Sequence, residues 1–112
     1  MYEISFYELP NGKSPFKKWL LELDITARQK ININLSRLKL GNFGNCESVG
    51  GNVIELKINF GPGFRIYFAL LNNEIFILLA GSKKRQQTDI DKAKVYLEDY
   101  RIESKKNAKK KL

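Results

Sequence analysis

Three consecutive segments, Val53-Ile-Glu-Leu-Lys-Ile-Asn-Phe60, Gly61-Pro-Gly63 and Phe64-Arg-Ile-Tyr-Phe-Ala-Leu-Leu71, decide how this chain folds. In the first, Ile54, Leu56, Ile58 and Phe60 share one side, and Val53, Glu55, Lys57 and Asn59 take the other. The last repeats the pattern, with Phe64, Ile66, Phe68 and Leu70 inward and Arg65, Tyr67 and Ala69 outward. Alternation with a period of two marks strands that bury one face. The Gly-Pro-Gly turn between them predicts a hairpin. Asn72-Asn73 reads as a second hairpin turn. It leads into Ile75–Ala80, which is apolar on both faces as a central strand should be.

Upstream, Tyr2–Glu8 alternates with Tyr2, Ile4 and Phe6 on one side and reads as an opening strand, followed by a turn at Pro10-Asn11-Gly12. Ser14-Pro15 starts a helix, with serine as N-cap and proline at the first helical position. Its stripe is Phe16, Trp19, Leu20 and Leu23. After a break at Asp24-Ile25, Thr26-Ala-Arg-Gln29 matches a capping box. Ile31, Leu35 and Leu38 carry the second helix of a helical hairpin. Gly41 to Asn52, with four glycines and three asparagines, reads as a long loop. Downstream, Gly81–Thr88 reads as a linker, and a last helix begins near Asp89 with the stripe Ile90, Ala93, Leu97 and Tyr100. The expected order is β-α-α-β-β-β-α. This is an α+β fold, a mostly antiparallel sheet with the helical hairpin packed on it. Residues 1–101 form one domain, and 102–112 a basic tail that extends the last helix or frays.

Composition narrows the function. The 112 residues are 43% hydrophobic and 12% aromatic, enough for a real core. No apolar stretch is long enough for a membrane span, and the start lacks a secretory pattern, so a cytoplasmic protein is expected. Cys46 is the sole cysteine and there is no histidine, which removes the commonest general base and metal ligand. Phosphate-loop, nucleophile-elbow and dinucleotide-fingerprint patterns are absent. Cys46 has no cationic neighbour in sequence and reads as an ordinary thiol. The net charge of +8 is uneven. Residues 101–112 carry six basic side chains and one acid. A chain this basic favours polyanions.

Glu55, Lys57, Arg65 and Tyr67 share the phase opposite the core stripe. Ser82-Lys83-Lys84-Arg85-Gln86-Gln87 leaves the central strand toward the same surface. Together they predict a concave cationic patch, with Tyr67 free to stack a base. The same residues read equally as solvated strand and turn positions, and spacing does not separate the two. If RNA is the substrate, cleavage needs a base for the 2′-hydroxyl, cations for the developing charge and an acid for the leaving oxygen. Arg65 suits a two-bond phosphate grip. Lys57 would act as base or electrostatic clamp, with Glu55 as the carboxylate alternative, and Lys83 or Lys84 as acid.

Gly41-Asn-Phe-Gly44, Val49-Gly-Gly51, Val53-x-Glu-Leu-Lys-Ile58, Gly61-Pro-Gly-Phe-Arg-Ile-Tyr-Phe68 and Gly81-Ser-Lys-Lys-Arg-Gln-Gln-Thr-Asp-Ile90 occur in this order. The combination resembles the RelE/ParE toxin superfamily, in its addiction-module killer, phage Gp49-like (HigB-type) branch, from the first strand to about Arg101. The resemblance implies a RelE-like fold and a type II toxin, a ribosome-dependent endoribonuclease that cuts mRNA on the 70S ribosome. It implies no metal or cofactor, no membrane, and a cognate helix-turn-helix antitoxin as partner. The family's cationic positions fall on Lys57, Arg65, Lys83 and Lys84 as catalytic residues, and the patch read from the strands and linker adds Glu55, Tyr67, Arg85 and Gln86 as expected RNA contacts. Many relatives carry arginine where Lys57 stands. Some members use a tyrosine near the C-terminus and others a histidine. Here only Tyr96 or Tyr100 stands in that region. ParE-type relatives instead poison DNA gyrase without nuclease residues, and a nucleic-acid-binding or decayed toxin domain is a further alternative.

Overall fold

In the computed structural model, which describes residues 1–110 and the side chains of residues 1–106, the hairpin forms in the expected register. Strand β3 (Val53–Ile58) pairs antiparallel with β4 (Phe64–Leu71), setting Glu55 opposite Tyr67 and Lys57 opposite Arg65. Gly61 and Gly63 of the turn have φ of 57° and 84°, values open to glycine at little cost. Strand β5 (Glu74–Ser82) follows through Asn72-Asn73. β1 (Glu3–Phe6) lies parallel to β5 along its free side. The long loop expected over Gly41–Asn52 is corrected: Cys46–Gly50 forms a further strand, β2, antiparallel to β3. Its turn has positive φ at Gly50, Gly51 and Asn52, so the residues that looked like loop are those the turn demands. The sheet thus has five strands, in the order β1-β5-β4-β3-β2.

Two helices cover one face. α1 (Pro15–Leu21) is capped by Ser14, whose hydroxyl accepts from Lys17 N at 3.1 Å, with Pro15 at its first turn. α2 (Ile25–Lys39) starts earlier than the Thr26 capping box implied. Asp24 is its N-cap and accepts from Ala27 N at 2.8 Å. Phe16, Ile31, Leu35 and Leu38 pack against Leu56, Ile66, Phe68, Ile75 and Ile77.

The opposite face is not open. A short 3-10 turn at Lys83–Arg85 runs directly into α3 (Gln86–Lys110), three residues before the expected start at Asp89. The expected linker is therefore split between the end of β5, this turn and the first turn of α3. Ile90, Ala93 and Leu97 of α3 pack on Val53, Tyr67, Ala69, Phe76 and Leu78 to make a second core. Burying both sheet faces contributes more than either face could alone, at about 25 cal/mol per Å² of apolar surface. α3 continues through residues 102–110, and the last two residues of the basic tail lie outside the described part.

A register shift in the β4–β5 pair positions the rest. Tyr67 faces Leu79, but Phe68 faces Ile77, so Leu78 is an extra residue on β5. Leu78 and Leu79 both join the α3-side core, and Ala80 joins the other. The shifted phase sets Gly81 opposite Arg65, toward the start of α3.

Candidate functional site

Two cross-strand rows on the α3 side carry the candidate residues. One runs Glu47, Glu55, Tyr67, Leu79, and the next Lys57, Arg65, Gly81. At the β2 edge the rows are open. Lys57 Nζ donates to Glu47 Oε2 at 2.9 Å, and the two side chains are 42% and 64% exposed. Lys57 lowers the pKa of Glu47, through the hydrogen bond first and its charge second.

Toward α3 the rows are sealed. Glu55, Arg65 and Asp89 are 1%, 6% and 3% exposed, and Tyr67 is fully buried. This corrects three expectations. Tyr67 is not free to stack a base, because its ring is part of the second core. Glu55 is not a surface carboxylate, because it accepts from Gln86 Nε2 at 2.8 Å beneath the start of α3. Gln86 itself is half-buried and occupied by that bond. Arg65 lies inside as well, so it is not the exposed side chain the alternation implied. One of its terminal nitrogens, Nη1, donates to Phe64 O at 3.0 Å, and its Nε has no partner among the described residues.

Arg65 still reaches the hairpin turn. Lys83 N donates to Gly63 O at 2.9 Å, which pins the start of the 3-10 turn to the tip of the β3–β4 hairpin. A Cβ placed on Gly63 would lie 3.4 Å from Lys83 Cβ and 3.8 Å from Arg65 Nη1. The Lys83 stem and the guanidinium therefore meet at this glycine. Lys57 is the cross-strand neighbour of Arg65 at this end of the sheet, but its ammonium is turned to Glu47 on the β2 side, away from Lys83. Lys84 is exposed on the same turn, with no hydrogen bond or ion pair to this group. Arg85 turns to the helix instead, its Nε 3.7 Å from Asp89 Oδ1.

Asp89 is the buried charge that sequence reading took for a simple helix start. Burial raises its pKa, against the charges of Arg85 and Lys92. It fits because position 81 is glycine, where any Cβ would overlap Asp89 Oδ2. Tyr67 is likewise pushed up, by burial first, then by the Glu55 and Asp89 carboxylates, with Arg65 opposing. Glu47, the partner of Lys57, was missed with its strand. The only signal for it was an acid two places before Val49 in what read as loop.

The C-terminal tyrosines sit elsewhere. Tyr96 stacks on Tyr7 with ring centres 4.7 Å apart, and Tyr100 leans on Phe76 at 4.4 Å. At 1.5 Å per residue they lie about 15 and 21 Å along α3 from Gln86. Tyr100 is 38% exposed rather than core. Cys46 is half-buried, and burial pushes its thiol up to about 11.

A small α+β domain with five mostly antiparallel strands, three helices and a cationic corner made by a hairpin and the turn after its neighbouring strand is the class these features define. The chain belongs to the family Phage derived protein Gp49-like (DUF891), whose profile matches residues 18–101. That family is associated with toxins of toxin–antitoxin systems, generally paired with an antitoxin. The chain is also similar to an uncharacterized protein of Haemophilus influenzae, with 40% identity over 86 residues that cover 75% of this chain and 87% of that protein. No helix among the described residues is long and apolar enough to cross a membrane.

Proposed function

We propose that this protein is a type II toxin of the RelE/ParE superfamily, in the HigB-like branch, which cleaves mRNA on the ribosome and is neutralised by a cognate antitoxin. What supports the reading is that Lys57 and Arg65 are opposite each other across the β3–β4 pair, and that Arg65 Nη1 and the Lys83 stem border the same glycine of the hairpin turn. Part-exposed Lys57 and exposed Lys83, with the buried Arg65 charge behind them, favour the extra negative charge of a phosphodiester under attack. In the reaction, the 2′-oxygen bonds to phosphorus and the 5′-oxygen leaves, giving a 2′,3′-cyclic phosphate and a 5′-hydroxyl. Lys57, already paired with Glu47, serves as an electrostatic clamp. Glu47 is the exposed carboxylate at this edge and takes the 2′-hydroxyl proton. Lys83 or Lys84 returns a proton to the leaving oxygen. Arg65 orients the phosphate from the floor of the corner. Without histidine the corner is a weak catalyst on its own, so a substrate held in place by the ribosome supplies the missing orientation.

The test is translation of a reporter message in vitro, with cut sites mapped by primer extension. Lys57→Ala and Lys83→Ala are both surface changes, and each should lower cleavage at least roughly tenfold while melting stays unchanged. Absence of translation-dependent cuts with the wild-type protein would sink the reading. One observation favours a second reading, in which a ParE-like contact inhibits DNA gyrase: Arg65 and Tyr67 are buried rather than presented. A supercoiling assay separates the two, since the nuclease reading requires gyrase to be unaffected.

A further inference from the structure

Next to the cationic corner, on the α2 side of the sheet edge, runs a groove that shares only Lys57 with the candidate site. Its main part encloses about 300 Å³. Lys30, Asn34 and Arg37 come from α2, and Asn45, Lys57 and Asn59 from the β2 and β3 ends. Lys30, Asn34 and Arg37 are spaced i, i+4, i+7. They form the stripe of α2 that flanks the buried Ile31, Leu35 and Leu38, about 100° around the helix from it. A shallower extension adds Asn42 beyond Arg37.

The lining has a consistent chemistry. It holds three cations, of which Lys57 is paired with Glu47 outside the groove, beside a set of asparagine amides. Each amide offers both a donor and an acceptor, as base edges require. Half-buried Phe60 closes one end, with the Lys30 ammonium 5.6 Å from its ring centre. An aromatic flanked by cations and amides is the usual equipment for an unpaired nucleotide strand. The apolar lining, Ile33, Ile58 and Phe60, is outnumbered by polar side chains, which suits a peptide anchor poorly, and a duplex needs a wider surface.

We propose that this groove is the track for single-stranded RNA flanking the cleaved phosphodiester. Lys30 and Arg37 hold phosphates, Asn45 and Asn59 meet base edges, and Lys57 joins the groove to the cationic corner. The inference rests on the RNA-cleavage reading of that corner, and extends it to how the substrate is held.

The test uses the full chain and a short, labelled, 2′-O-methylated oligoribonucleotide, which binds without being cut. Affinity is read by fluorescence anisotropy across a salt series. Lys30→Ala/Arg37→Ala should weaken binding roughly tenfold, and reduce the slope of log K against log salt by about 1.4, or about 0.7 per lost single-strand phosphate contact. Lys105→Ala/Lys106→Ala removes the same charge from the exposed far end of α3 and should change the slope much less. Asn45→Ala/Asn59→Ala should keep the slope and narrow the difference between oligonucleotides of different base composition. Unchanged binding by the Lys30→Ala/Arg37→Ala protein overturns the proposal. So does an equal loss from the tail variant, or failure of the wild type to bind the probe. Groove-dependent binding by a wild-type protein that leaves translated messages uncut would refute the nuclease reading while sustaining the groove.

Discussion

Tyr67→Phe removes one atom from the centre of the second core, and the structure specifies what that atom does. Tyr67 is fully buried, and its hydroxyl lies near the Glu55 carboxylate without a hydrogen bond of ordinary geometry to it or to any other described residue. A polar group taken from water without replacement of its hydrogen bonds costs about 1–3 kcal/mol. The ring itself packs with Val53, Ala69, Leu97 and their neighbours, and phenylalanine keeps that packing. The variant should therefore be more stable by about 1 kcal/mol, an increase in Tm of about 4 °C for a chain of this size. A second signature lies at high pH. Burial, then the carboxylates of Glu55 and Asp89, raise the phenol pKa above its unfolded value. The stability linked to that proton is complete below about pH 10, and is lost as pH rises toward the folded value, by up to about 1.4 kcal/mol per unit. Phenylalanine cannot show this loss. Urea denaturation followed by Trp19 fluorescence, repeated from neutral pH to about pH 11, measures both effects. RNA affinity should not change, because the phenol never reaches the surface. A variant destabilised at neutral pH by about 1.5 kcal/mol or more would refute the reasoning, since that is the size of a charge-assisted bond from this hydroxyl to Glu55.

Three further outcomes follow, two from the same region and one from the β2 edge. Gly81→Ala forces a methyl group onto Asp89 Oδ2 and should cost about 1–3 kcal/mol in denaturant unfolding, with much of it recovered in Gly81→Ala/Asp89→Ala; a double variant no more stable than Gly81→Ala refutes the contact. Asp89 has a raised folded pKa, so the stability tied to its proton is complete below the unfolded value of about 3.9 and is lost as pH rises through the folded one. Asp89→Asn should gain on the wild type across that window, and a difference independent of pH would contradict this. Cys46, with its thiol pushed up to about 11 by burial, should react with iodoacetamide at pH 8 far more slowly than a free cysteine; equal rates in a folded sample would show that the thiol is not shielded.

Local chemistry made much of the fold legible. Alternation in Val53–Phe60 and Phe64–Leu71, joined by Gly-Pro-Gly, predicts the observed hairpin and its register. Ser14-Pro15 predicts the start of α1. β2 was hidden because three successive positive-φ residues make its turn look like loop, and because a short edge strand carries little alternation of its own. The candidate site was legible only in part. Phase alone set Lys57 and Arg65 on one face, and the structure agrees. Phase could not say that α3 would lie across that face, since a buried polar row and a solvated one have the same spelling.

The sequence by itself determined which residues share a face, where the chain turns, and that its charge is basic, because these depend on strand and helix periodicity and on local backbone preferences. Tertiary structure alone decided which polar residues meet water. The extra residue Leu78 rotates the end of β5, glycine at 81 leaves room for Asp89, and α3 then settles over Glu55, Arg65 and Tyr67. What stays accessible is the corner of Lys57 and Lys83. The physical reason is that burial depends on contacts between segments far apart in the chain, which no local pattern encodes.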